Sequence, residues 1–235
     1  MSLTLKTEGD FEQLAKGQYE AVCFRIVDMG TTEQQYKDGP LTKKKRVHIS
    51  FEVPEQKMSD GRPFSVSKTY TASLFESAAL RKDLVSWRGR NFSEEEEAGF
   101  DISKLLGCTA NVDVGHTENG NPKIIGIFKP DGGVKKVPTH NEPTSFDLDI
   151  YCDEFNGNSG EQSKAMCDIF DSLPPWQQED IESSYEYKAA TGNSSEPSES
   201  EDLAKLNDQA AQEMNSPNFD DDEKKGGLTE EDIPF

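Results

Sequence analysis

Cysteine is scarce and scattered in this sequence. Its four cysteines, Cys23, Cys108, Cys152 and Cys167, form no Cys-x-x-Cys, and its three histidines show no paired spacing. That pattern supports neither a zinc site nor a disulfide framework, and it reads as a reduced intracellular chain. No apolar run approaches the ~18 residues of a membrane span. Met1–Asp10 lacks the basic-then-apolar pattern of a signal peptide, so the chain reads as soluble and cytoplasmic. A Gly-rich phosphate loop and a Gly-x-Ser-x-Gly elbow are both missing. Glu94–Glu97 is a carboxylate run without metal-type spacing and reads as a solvated helical face. These absences argue against an enzyme and against a metal or organic cofactor.

Positive charge is what the second half lacks. The 235 residues carry 25 Lys+Arg and 45 Asp+Glu, a net charge of -20. Residues 1–137 hold 20 of each sign, so residues 138–235 hold the remaining 5 basic and 25 acidic side chains. A neutral body with an acidic tail follows from that asymmetry. Because averaging hides the body, overall acidity does not exclude a nucleic-acid partner.

The hydrophobic period divides the body into elements. Residues 1–16 read as a lead-in. From Gly17 a β-branched and aromatic run predicts a strand to Met29, ended by Asp28-Met29-Gly30 and followed by a loop over Thr31–Thr42. In that first strand Tyr19, Ala21, Cys23 and Arg25 share one face. In the second, Val47, Ile49, Phe51 and Val53 alternate with Arg46, His48, Ser50 and Glu52, which predicts one buried and one wet face. Asp60-Gly61-Arg62-Pro63 turns the chain into a third strand over Phe64–Thr71. Leu74–Trp87 then reads as a helix, and short helical turns follow at Glu94–Ala98 and Ile102–Leu106. Cys108–His116 and Lys123–Phe128 flank Asn119-Gly120, a strong hairpin signal.

The order β-β-β-α-β-β over residues 17–137 is that of an OB fold, a five-stranded Greek-key barrel with a helix between the third and fourth strands. The fold class predicted is therefore mainly β, an OB-fold-like barrel with a disordered acidic C-terminal tail. Residues 138–190 read as an acidic segment with short helices. Residues 191–235 are too polar to bury enough surface against chain entropy and read as disordered.

Basic residues concentrate between Lys37 and Arg90, with 12 Lys+Arg against 6 Asp+Glu. Basic side chains track phosphates, and interleaved aromatics offer faces for unstacked bases. The predicted nucleic-acid-binding set is Tyr36, Lys43, Lys44, Lys45, Arg46, His48, Arg62, Lys68, Tyr70, Arg81, Trp87, Arg88 and Arg90. Within it, Lys44, Arg46, Lys68, Arg88 and Arg90 are assigned to phosphate, and Tyr70, Trp87 and Tyr36 to stacking. A basic run beside a strand also serves simply to block edge-to-edge pairing, and Trp87 is equally suited to the core.

The chain ends on Leu228-Thr229-Glu230-Glu231-Asp232-Ile233-Pro234-Phe235. Apolar side chains at a charged, fraying terminus suit docking into a partner's pocket. This ending resembles the C-terminal tip of bacterial and phage single-stranded DNA-binding proteins, with Glu230-Glu231 where cellular relatives often have Asp. In the body, Ser67–Thr71, Leu80–Leu84, Ser86–Arg90 and Gly99–Asp101 look like a pattern shared among small phage proteins of this kind. The resemblance implies a protein that coats single-stranded DNA in replication, recombination and repair. It also implies a tip, Asp232, Ile233, Pro234 and Phe235, that recruits replication or recombination proteins. A phage origin would place the protein in the host cytoplasm, and a homo-oligomer is compatible with all of this. Two rivals stand beside that expectation. One is an interaction protein whose OB-like body binds protein while the acidic tail mimics DNA or blocks a host nuclease; the other is a strand-annealing protein.

Overall fold

The computed structural model describes residues 12–35 and 39–193. Among these residues six strands form one sheet: β1 (Gly17–Gln35), β2 (Leu41–Lys57), β3 (Pro63–Thr71), β4 (Thr109–His116), β5 (Pro122–Phe128) and β6 (Thr144–Phe146). The order is β3-β2-β1-β4-β5, all antiparallel, with β6 lying parallel to β1 through Arg25–Val27. The fold is mainly β with helices. It differs from the five-stranded closed barrel expected: β3 and β5 are the ends of the hydrogen-bonded order, and a sixth strand joins. No period-2 reading could have found β6, because three residues are too few to alternate.

β1 is shared by the whole sheet. Its first residues pair with β4, and from Val22 onward it pairs with β2. The Asp28-Met29-Gly30 signal expected to end it is a β-bulge instead. Gly30 takes φ 68°, its N–H is held by Asp28 Oδ1 at 2.9 Å, and pairing resumes to Gln35. A bulge of this kind bends a strand without ending it.

Between β3 and β4 lie α1 (Ala79–Arg88), α2 (Glu94–Ala98) and a 3-10 turn (Ile102–Leu105). Leu80, Leu84 and Trp87 fall on one face of α1, and all are buried. The helix packs against both edge strands, β3 and β5, which approach each other around it. The enclosed core takes Ala21, Cys23 and Ile26 from β1, Val47–Val53 at alternate positions from β2, and Val112, Val114, Ile124 and Ile127 from the β4–β5 hairpin. That hairpin forms at the predicted place, with Gly120 at φ 83° in its turn.

The boundary expected at residue 137 is not a packing boundary. After β5 the chain runs antiparallel beside Gly107–Thr109 through Lys135 and Val137. It then crosses the sheet, forms β6 and continues into α3 (Leu148–Cys152), α4 (Glu161–Asp171), α5 (Pro175–Glu182) and α6 (Tyr185–Ala190). A second core joins Val27 and Met29 of β1 to Phe146, Leu148, Tyr151, Phe170, Leu173 and Ile181. Gly30 makes this layer fit. A Cβ there would meet Leu148 Cδ2 and Ser184 Cβ at 2.6 Å, so only glycine permits the approach. No helix of the described residues is long and apolar enough to cross a membrane.

Candidate nucleic-acid interface

Most of the predicted binding set is already engaged within the protein. Lys68 Nζ lies 2.6 Å from Asp83 Oδ2, and the Tyr70 hydroxyl donates to the same oxygen at 2.8 Å. Tyr70 is buried at 3% exposure, so its ring is part of the core and not an accessible platform. Trp87 is buried at 1%, lies 5.2 Å from the Phe51 ring and donates its indole N–H to Thr109 O at 2.7 Å. It too is core. In both cases the predicted stacking role fails for want of an exposed face.

The arginines near α1 meet the glutamate run. Arg81 pairs with Glu97, and Arg88 and Arg90 converge on Glu96. The Arg88 guanidinium also covers the rings of Phe92 and Phe100, at 4.5 and 4.9 Å. Hydrogen bonds from Arg88 and Arg90 hold the Glu96 carboxyl well below the usual range. The run read as a solvated face is thus partly an anchor for these arginines. Arg90 remains exposed, as does Arg62 in its turn beside Asp60. Both pairs lie in solvent, which screens them.

The basic run opening β2 is met by the acidic helical layer. Lys45 lies 2.9 Å from Asp28 and 3.7 Å from Asp149, and Arg46 lies 3.3 Å from Asp180. Lys43 stays exposed with its ammonium 4.1 Å from the Tyr185 ring, and Lys44 is half-buried. Tyr36 and the tip Asp232, Ile233, Pro234 and Phe235 lie outside the described residues, as does the tail read as disordered.

The face of β2 expected to be wet is covered. His48, Ser50 and Glu52 are 5%, 8% and 1% exposed. Glu52 accepts the backbone N–H groups of His140 and Asn141 at 2.7 and 3.0 Å and the Asn141 side-chain amide at 2.8 Å. These donors come from ~90 residues downstream, a distance across which hydrophobic periodicity carries no signal.

His48 sits 2.8 Å from Thr69 Oγ1 through Nδ1, with its ring 5.2 Å from that of Trp176. Burial first, then the Arg25 guanidinium, pushes its pKa down to about 4, while Asp180 opposes. The imidazole is therefore neutral at neutral pH, and in the unfolded chain it titrates near 6.5. Between these values the unfolded state binds more protons, so stability falls as pH falls through the window. The expected loss is on the order of 2 kcal/mol between about pH 7 and pH 4.5. His48→Gln should remove that slope relative to the parent, as read from urea midpoints at the two pH values.

One arginine outside the predicted set has the features that set was chosen for. A β-bulge between Cys23 and Arg25 adds a residue to β1 and turns Arg25 away from the core, to the side of its cross-strand partner Ser50. Simple alternation had grouped it with Cys23. Ser50 pairs in turn with Ser67 of β3, so a guanidinium and two hydroxyl groups run in a row across three strands. Beside this row, Thr69 and Thr71 of β3 are exposed on the same face. Arg25 forms no ion pair among the described residues, and its buried Nε meets no acceptor there. A half-buried cation without a counter-ion, beside hydroxyl groups, suits an incoming anion.

Two other surfaces fit phosphate less well. A cleft of about 520 Å³ between α1, β6 and α3 includes Asp28, Asp101 and Asp147 against Lys45, a lining that repels anions. On the outer side of the β4–β5 hairpin, Ile125 and Phe128 are exposed and lie across Gly115 and Gly126. No protein-family model, curated protein or solved structure matches the chain, so its function rests on its own residues.

Proposed function

We propose that this protein binds single-stranded DNA without strong sequence preference, on an OB-type body, and recruits replication or recombination proteins through its C-terminal tip. The observation that carries the reading is the Arg25–Ser50–Ser67 row, with a half-buried guanidinium that forms no ion pair among the described residues. Lys43 and Lys44 at the start of β2, and Arg62 and Arg90 in exposed turns, are further cations within reach of solvent. The sheet order supports an OB-type scaffold. One long strand pairs with two neighbours, and a helix between β3 and β4 packs on both edges. The charge partition and the Asp-Ile-Pro-Phe ending support the recruiting role.

Fluorescence anisotropy of a labelled oligo(dT) with the full chain and with Arg25→Gln tests this. A phosphate contact predicts binding weakened roughly tenfold and a salt slope reduced by about one. Relief of the orphaned Nε predicts that the variant is as stable as the parent or more so, because an unsatisfied buried donor costs ~1–3 kcal/mol. Equal affinity and equal slope in both proteins would remove Arg25 from the interface. The acidic layer over residues 138–193 favours a second reading, a DNA-mimicking interaction protein; it requires that the full chain bind no single-stranded DNA.

A further inference from the structure

We infer that Trp176, supplied by the acidic helical layer, is the platform on which a base of the bound strand stacks. This rests on the proposed single-stranded DNA binding and adds the residue that would hold a base. Trp176 is 48% exposed. Its helix is not loose, because Gln177 and Ile181 of the same turn and the next are 2% and 0% exposed. Folding therefore leaves an indole outside on a well-anchored element, and Pro174-Pro175 immediately before it stiffens the approach.

The ring is also positioned. It makes an edge contact with His48, which is itself buried and held by Thr69. That contact places it over the outer side of the sheet where Thr69 and Thr71 are exposed. The His48–Thr69 row is two residues along β2 from the Arg25–Ser50–Ser67 row, a spacing of roughly 7 Å at the usual rise per residue. Adjacent phosphates in an extended strand are separated by a comparable length, so one nucleotide can rest its base on Trp176 while a neighbouring phosphate reaches Arg25. Asp180, one helical turn on, is paired with Arg46 at 3.3 Å, which offsets its charge. A stacking surface of this type accepts any base, in keeping with binding that lacks sequence preference.

The sequence holds two tryptophans, and they divide the test cleanly. Trp87 is buried against Phe51, so changes in indole emission on titration report Trp176. Titrating the full chain with oligo(dT) should quench the emission in step with the anisotropy of a labelled strand. Trp176→Ala should weaken binding roughly 5- to 150-fold, the range that ~1–3 kcal/mol per stacked base represents, with little change in melting temperature. Trp176→Phe should recover most of the affinity, since a phenyl ring still offers a face. If the wild-type chain binds oligo(dT) without quenching and Trp176→Ala binds equally well, this assignment is overturned while the DNA-binding reading stands. If the wild-type chain does not bind oligo(dT) at all, that reading falls, and the exposed indole belongs to a protein contact.

Discussion

Trp87→Ala is expected to destabilise the folded protein by about 3–5 kcal/mol, the usual range for emptying a buried aromatic site. The side chain is 1% exposed and fills the space between α1 and the sheet, 5.2 Å from Phe51. Its indole N–H also ties α1 to β4 through Thr109 O at 2.7 Å, and truncation leaves that buried carbonyl short of a donor. For a folded region of this size the loss corresponds to a melting temperature lower by roughly 10 °C. Trp87→Phe keeps part of the volume and loses only the hydrogen bond, so its effect should be well under half as large. Below the transition both variants should bind oligo(dT) as the parent does, because the ring offers no accessible face. The expected contrast with Trp176 is sharp: substitution of the buried tryptophan should lower stability, and substitution of the exposed one should lower affinity. A loss of stability under about 1 kcal/mol would contradict the packing of α1 described above.

Glu52→Ala is expected to cost about 3 kcal/mol, and the damage should be local before it is global. The carboxylate is 1% exposed and accepts three hydrogen bonds, two of them from backbone N–H groups at the point where the chain crosses the sheet. Without it these donors have no acceptor, and each unsatisfied buried group costs ~1–3 kcal/mol. Hydrogen exchange at the His140 and Asn141 amides should accelerate first. Thermal unfolding should then split or broaden as β6 and the helices after it separate from β1 ahead of the core around α1. Glu52→Gln preserves the shape but turns one acceptor into a donor facing other donors, so it should recover only part of the loss. Unchanged exchange at residues 140 and 141 would mean that the crossover is held by something other than this carboxylate.

Local chemistry made much of the body legible. The β4–β5 hairpin could be read from alternation around Asn119-Gly120, and α1 from the spacing of Leu80, Leu84 and Trp87. What stayed hidden depends on contacts between distant residues. His48, Ser50 and Glu52 look like a wet strand face until the segment after residue 138 folds over them, and nothing near β2 announces that cover. Regular alternation puts Arg25 on the face of Cys23, and the bulge at Phe24 reverses its direction. Arg81, Arg88 and Lys68 looked like free charge because their partners, Glu97, Glu96 and Asp83, are brought in by tertiary structure. Trp176 carried a usable signal in the sequence, a tryptophan in a polar, proline-led segment. Its significance depends on reaching His48 across the sheet.

The candidate interface is therefore smaller than a count of basic residues suggests, and it is composite. β1 provides the unpaired guanidinium, β2 and β3 the hydroxyl groups, and the acidic layer an exposed ring. Net charge explains little here, since much of it is spent within the protein; what matters is which cations have no internal partner.

The most direct test is the binding of a labelled oligo(dT) to the full chain at two salt concentrations, with duplex DNA of equal length as competitor. Saturable binding to the single strand is expected, weakening steeply as salt rises and poorly competed by duplex. Absence of binding at low salt, or equal preference for duplex, would contradict the proposed function.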